Sequence, residues 1–395
     1  MNGDMKKLVY VLILSMVVTA CKKPYNPPVI SSPGSYLVVE GSINSGSDST
    51  IIKISQTVNL SSRITLNPVL HAIVAVEGDQ NVVFPLKETI NGNYVSGGLN
   101  LDNTHKYRLS IKTTAEQYYS DYVPVLNSPP IDSVYFTVTN NNGININSAT
   151  HDPTNNVKYY RWYYQETWIF HSNYQSLYKS NGDTVLSRDL NNDEIYTCWG
   201  SDTSSTIILG STANLSKDLV MGNVVAFVPS TSEKLGTEYS IIVRQYALTA
   251  DAYNFWINLK KNTEQLGSIF DAQPSQINGN IYSASNPGEA VIGYISVGSI
   301  GSERIFITNR QLPNWLAARF DPDCQLDSLL YDHDHENEVN EFIDYKSASY
   351  NYEQFIPVSS IYVSGSPKIA GYTASEAICV DCTLRGTNKQ PFFWK

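Results

Sequence analysis

The chain has 395 residues, with 27 Lys and Arg against 37 Asp and Glu and a net charge of −10. Its basic residues gather into no stripe, which argues against nucleic acid as a partner, and its length accommodates two or three domains. Tyrosine is abundant at 27 residues, with 6 Trp. That profile suits extracytoplasmic β-domains, where aromatic residues favour strands, and it is also compatible with a binding surface.

The first element is a leader. Met5-Lys6-Lys7 is followed by a largely apolar run from Leu8 to Ala20 and then by Cys21. A short basic stretch before such a run reads as a secretory signal over residues 1–20, with Met1 to Asp4 upstream of the expected start. A helix of that length rises only about 20 Å, short of the roughly 30 Å hydrocarbon core. Val18-Thr19-Ala20-Cys21 resembles a lipobox, with Val18 in place of the usual Leu. The expectation is cleavage before Cys21 and lipidation of that cysteine by acyl chains such as palmitate. Several chains suffice for stable membrane anchoring. Lys22 follows the cysteine instead of Asp, so outer-membrane placement is expected, with the leaflet open. Residues 21–35, rich in Pro and Ser, read as a tether.

Short strand-like runs come next: Tyr36 to Ile43, Thr50 to Thr57, Leu70 to Glu77, Val82 to Glu88, Asn93 to Ser96, Lys106 to Lys112 and Tyr118 to Val125. Tyr107, Leu109 and Ile111 alternate with a period of two, as a half-buried strand requires. Gly78-Asp79, Asn91-Gly92 and Asn103-Thr104 supply turns. Seven such strands predict an immunoglobulin-like β-sandwich over 36–126. Pro129-Pro130 marks a boundary, because successive prolines resist helix and ladder alike.

A larger, mainly β domain is expected over 131–395. Ile131 to Val138 opens it, and Lys158 to His171 is its most aromatic strand, covered on both faces. One amphipathic helix is predicted over 250–266, with Thr249 as N-cap and Gly267 after the last turn. Its Ala252, Phe255, Trp256, Leu259, Thr263 and Leu266 fall on one stripe, expected to pack on the sheet. Val291 to Val297 and Arg304 to Thr308 are further strand candidates. The tail beyond Cys382 reads as irregular, ending in an apolar plug at Pro391 to Trp394.

Four cysteines remain after Cys21: Cys198, Cys324, Cys379 and Cys382. An even number in an exported chain points to two disulfides with three possible pairings. Cys379 and Cys382 form a CxxC, which also admits a redox pair or half a zinc site. No βαβ pattern surrounds it for the first, and no second CxxC or His pair completes the second. The preferred scheme bonds Cys324 to one member of the pair and Cys198 to the other, pinning the tail. The competing scheme joins Cys379 to Cys382 and Cys198 to Cys324.

No nucleophile elbow, zinc-protease, dinucleotide or phosphate-loop motif occurs. Asp189 to Asp193 opens like a calcium loop, but Glu194 stands where Gly is needed, so a polar loop is the better reading. The densest polar cluster runs Asp332-His333-Asp334-His335-Glu336-Asn337-Glu338. His333 and His335 would share one side of an extended segment, with Asp332, Asp334 and Glu336 as further weak metal candidates. A solvated acidic loop explains the same residues, and no cofactor is expected.

Several phrases in order carry a family resemblance. They are Tyr36 to Gly41, Tyr239 to Tyr246 leading into Ala252 to Trp256, Gly267 to Asp271, Ile292-Gly293-Tyr294, Cys379 to Cys382, and Pro391 to Trp394. Together the chain resembles the Bacteroidota lipoprotein family catalogued as domain of unknown function 4249. The resemblance implies no established activity and no catalytic residues. It does imply frequent association with a TonB-dependent outer-membrane receptor. The expected role is a non-enzymatic accessory lipoprotein that binds a ligand or that receptor. The alternatives are a metal-assisted hydrolase centred on Asp332 to Glu338 and a structural envelope or adhesion lipoprotein.

Overall fold

In the computed structural model the chain is mainly β, with several sheets, one long helix and two disulfides. The structure describes residues 35–58, 66–140, 142–180, 185–264, 279–315, 323–332, 339–340 and 355–394, with backbone alone at 331–332 and 339–340. The leader, Cys21 and the tether therefore lie outside the described residues. So do His333, Asp334, His335, Glu336 and the helix residues beyond 264. Among the described residues, no helix is long and apolar enough to cross a membrane.

The first unit contains β1 (Leu37–Asn44), β2 (Thr50–Gln56), β3 (Ile73–Gly78), β4 (Val83–Glu88), β5 (Asn93–Ser96), β6 (Lys106–Lys112), β7 (Gln117–Ser120) and β8 (Val123–Pro124). These bounds lie close to the runs read from alternation. Asn91 and Gly92 both take positive φ in the β4–β5 turn, the conformation that Asn and Gly adopt most readily. The pairing runs β7-β6-β3-β4-β5-β2-β1. Alternate residues of both halves, among them Ile52, Ile54, Val76, Leu109 and Ile111, bury in a single cluster, so the sheet folds over upon itself.

The second unit contains β9 (Ile131–Thr139), β10 (Gly143–His151), β11 (Tyr159–His171), a small hairpin of β12 (Tyr178–Ser180) and β13 (Val185–Ser187), β14 (Thr197–Thr203), β15 (Ile208–Ser211), β16 (Leu219–Pro229) and β17 (Glu238–Leu248). Helix α1 (Ala250–Glu264) follows, and Thr249 caps it as expected, its hydroxyl accepting from the Ala252 N–H at 3.2 Å. One sheet is ordered β16-β10-β9. It faces a second in which β11 is central, between β14 and β15 on one side and β17 on the other. Ile144 and Ile146 from the first sheet meet Tyr160, Trp162, Ile241 and Val243 from the second in one core.

Beyond the helix the chain departs from the expected division. β18 (Ile281–Ser283), β19 (Val291–Ile292) and β20 (Val297–Gly298) return to the first unit, where β18 pairs with β7 and the other two run parallel to β1. The segment from Val291 to Val297 is thus two short strands instead of one. Parallel pairing needs a long crossover, and here the whole second unit supplies it. Gly293 (φ +151°) permits the close approach, because a Cβ there would collide with the Val39 carbonyl oxygen. β21 (Ile300–Thr308) then rejoins the second unit as the edge strand beside β17.

The C-terminal region holds strands that the sequence did not announce: β22 (Asp327–Asp332), β23 (Val339–Asn340), β24 (Phe355–Tyr362) and β25 (Ile369–Glu376), ordered β23-β22-β25-β24. A proline, a bulge beside it and many small polar residues hide their alternation. The two disulfides join Cys324 to Cys379 and Cys198 to Cys382, splitting the CxxC between two distant partners. The final plug is divided. Trp394 packs edge-on to Phe306 and donates to Glu238, whereas Phe392 is 100% exposed.

Candidate functional site

Strand parity builds the main site. On β11, Tyr160 and Trp162 point into the second core, which turns Arg161 and Tyr163 to the opposite face. Arg161 stands across from Tyr246 and Tyr163 across from Arg244 on β17. Beyond β17, Ile300 and Ser302 of β21 continue the same face. Strand β1 and residues 292–294 of the first unit form one wall, and helix α1 forms another.

The result is a cavity of about 850 Å³ at the junction of the two units, within the range of roughly 300–1,000 Å³ usual for ligand sites. Phe255, Trp256 and Leu259 of α1 line it, so the stripe expected to pack on the sheet also presents surface to the cavity. Helix and rim are tied together: the Lys260 ammonium donates to the Ile207 carbonyl at 2.6 Å, and the Glu264 carboxylate accepts from the Ile207 N–H at 2.6 Å.

Arg161 is the most constrained charge in the site. Its guanidinium lies 3.7 Å from the Trp256 ring centroid and 5.5 Å from that of Tyr246. Desolvation by the surrounding walls pulls its pKa down, opposed by the rings of Tyr246 and Tyr163 and by the more distant Glu40. Burial likewise pushes the Tyr246 phenol up, and the charges of Arg161 and Arg244 work against that rise. Burial also raises Tyr294, which packs on Phe255 with ring centroids 5.5 Å apart. The arrangement offers aromatic faces, guanidinium donors and hydroxyls, the groups that hold and orient a ligand.

The residues singled out from sequence lie elsewhere. Cys198 and Cys382 share a small buried cluster with Phe170, and Cys379 shares another with Ile195 and Val358. All four cysteines are bonded. Asp332 ends β22, its side chain undescribed, and the rest of the His/Asp cluster is outside the described residues. Among the described residues no group of three His, Cys, Asp or Glu side chains could hold a metal ion. Asp189 closes its own turn, accepting from the Asn191 N–H at 3.0 Å and from the Asn192 amide at 2.7 Å. Arg161 and Arg244 escaped notice in the sequence. The local signal was only an arginine in the middle of each of two strand-like runs, 158–171 and 239–246.

A family model described as "Domain of unknown function (DUF4249)" matches residues 22–304, a span that contains every wall of the cavity. No curated protein matches the chain. Among solved structures, a two fibronectin type-III domain segment from chicken tenascin is 11% identical, with 54% of this chain and 92% of that chain covered and a TM-score of 0.16. The Yersinia pseudotuberculosis adhesin InvE is also 11% identical, with 54% and 55% covered and a TM-score of 0.14. At those scores neither likeness bears on what this chain does.

Proposed function

The chain belongs to the DUF4249 family, whose description carries no activity, and from that premise we propose that it is a non-enzymatic accessory lipoprotein that captures a ligand in the junction cavity. The cavity carries this reading. It is large enough for a small molecule, walled by two units and a helix, and lined by binding groups. Lipidation at Cys21 would hold the chain at the outer membrane, with the partner a TonB-dependent receptor that takes the ligand onward. We read the first unit as an immunoglobulin-like sandwich serving as one wall of the site and as the spacer above the tether.

Two measurements test this. A tagged, lipid-anchored copy solubilised in mild detergent should co-purify an outer-membrane β-barrel. Native mass spectrometry of the chain released from its own membranes should show a bound small molecule. Ser302→Trp, which fills the cavity from an exposed position on the floor, should remove that molecule while leaving the fold intact. No barrel in repeated attempts would count against the partner. A bound molecule equally present in the Ser302→Trp protein would place the ligand elsewhere.

A further inference from the structure

The cavity floor carries two guanidiniums with no carboxylate to meet them. Arg161 and Arg244 are diagonal neighbours across the β11–β17 ladder, a placement that sets such residues about 7 Å apart. Among the described residues, neither guanidinium has an ion-pair or hydrogen-bond partner. Glu40 influences Arg161 only at a distance, and its own carboxylate lies 3.4 Å from the Lys53 ammonium. Arg304 adds a third charge on the same face, diagonal to Arg244 on the other side. Burial and repulsion from Arg244 both pull the Arg304 pKa down. A row of like charges in a partly dried setting is unfavourable alone, and an anion between them offsets the repulsion.

A second observation is independent of the arginines. Asn44 lines the same cavity and is 2% exposed. Its Oδ1 accepts from the Gly46 N–H at 2.8 Å, whereas its Nδ2 has no hydrogen-bond partner. A buried amide N–H without an acceptor is unfavourable, because it has given up water and gained nothing in return. The buried amide and the two floor guanidiniums, the groups without a partner deep in this site, are therefore all donors, whereas the lining carboxylates of Glu40 and Asp48 stand at exposed positions. The Trp256 ring also holds the Arg161 guanidinium in a cation–π contact at 3.7 Å, which restrains it before any ligand arrives.

Resting on the cavity reading above, we propose that the ligand carries an oxyanion, a carboxylate or phosphate, that bridges Arg161 and Arg244 and accepts from Asn44 Nδ2. The remainder of the ligand is flat or apolar and lies against Phe255, Trp256 and Leu259. Calorimetric titration of the full mature chain with benzoate, phenyl phosphate and benzyl alcohol tests it. The neutral alcohol has the same ring, and the two anions separate carboxylate from phosphate. At least one anion should bind about tenfold or more tighter than the alcohol, and Arg244→Gln should remove about that advantage. Arg244→Lys should retain part of it. Arg161→Gln should act likewise; if loss of its stacking on Trp256 prevents folding, Arg244→Gln carries the test. Equal binding of the alcohol, or anion binding untouched by Arg244→Gln, overturns the oxyanion site. No binding by any probe overturns it too, and the cavity reading then stands or falls on the co-purified molecule and its response to Ser302→Trp.

Discussion

Gln245 is fully buried in the middle of β17 and holds three parts of the second unit together. Its Oε1 accepts from the Trp162 indole at 3.0 Å, and its Nε2 lies 3.0 Å from the Pro129 carbonyl and 3.1 Å from the Thr150 hydroxyl. Gln245→Leu leaves the indole N–H without a partner and the Pro129 carbonyl with the Ser128 hydroxyl alone, so urea unfolding should show a loss of about 1–3 kcal/mol. Adding Trp162→Phe removes the orphaned donor and should lose less than the sum of the two single changes. Asp152 works through charge. Burial pulls its carboxyl up, but the Thr154 hydroxyl and the N–H groups of Val157, Thr154 and Asn156 outweigh that and bring it down to about 2. Because the folded pKa lies below the unfolded value of 3.8, the contribution is fully present above that value and fades as pH falls towards 2. The stability gap between the wild type and Asp152→Asn should therefore be constant near neutral pH and close between about pH 4 and pH 2.

At the scale of elements, the C-terminal sheet depends on its tethers more than on its core. Its buried apolar clusters are small, Leu329 with Ala374 in one and Val358 with Cys379 and Val380 in another. The loop between β11 and β14 grips it by short bonds, the Leu177 N–H to the Val358 carbonyl and the Tyr174 hydroxyl to the Cys324 carbonyl, each 3.0 Å. The Cys324–Cys379 bond closes 55 residues and the Cys198–Cys382 bond 184. In the chain-entropy model these restrict the unfolded state by about 4 and about 5 kcal/mol. Replacing Cys324 and Cys379 by Ser should loosen β22 to β25 while leaving the second core folded. Limited proteolysis should then cut first between 323 and 376. Cutting first within β9 to β11 would refute this division.

At the scale of the molecule, the first unit is completed by residues from late in the chain. Ile281, Val291, Ile295 and Val297 are all buried in its core. At about 1.5–3 kcal/mol for each buried aliphatic side chain, they supply stabilisation comparable to the total of a small domain, about 5–15 kcal/mol. β1 would also lose both of its parallel partners. A fragment ending at residue 126 should thus show no cooperative unfolding, and appending residues 279–298 through a flexible linker should restore it. The same return helps to build the cavity, since residues 292–294 form its wall as they pass along β1.

Alternation and turn chemistry are local, and they sufficed for β1 to β7, for the Asn91-Gly92 hairpin, for β11 and for a helix capped by Thr249. That the four cysteines after Cys21 pair into two disulfides was also legible, since an even number of thiols points to bonding without reference to the fold. Three features were decided only by tertiary structure. The return of 281–298 rests on parallel pairing with a strand some 250 residues earlier, and such short ribbons carry no period of their own. The C-terminal strands form because a distant loop and two disulfides hold residues whose own propensity is weak. The cavity exists because strand parity turns Arg161 and Arg244 away from one core, and the first unit and α1 then enclose that face. Each arginine alone reads as an ordinary charge on a strand; their shared lack of a carboxylate partner is a property of the register between strands some 80 residues apart.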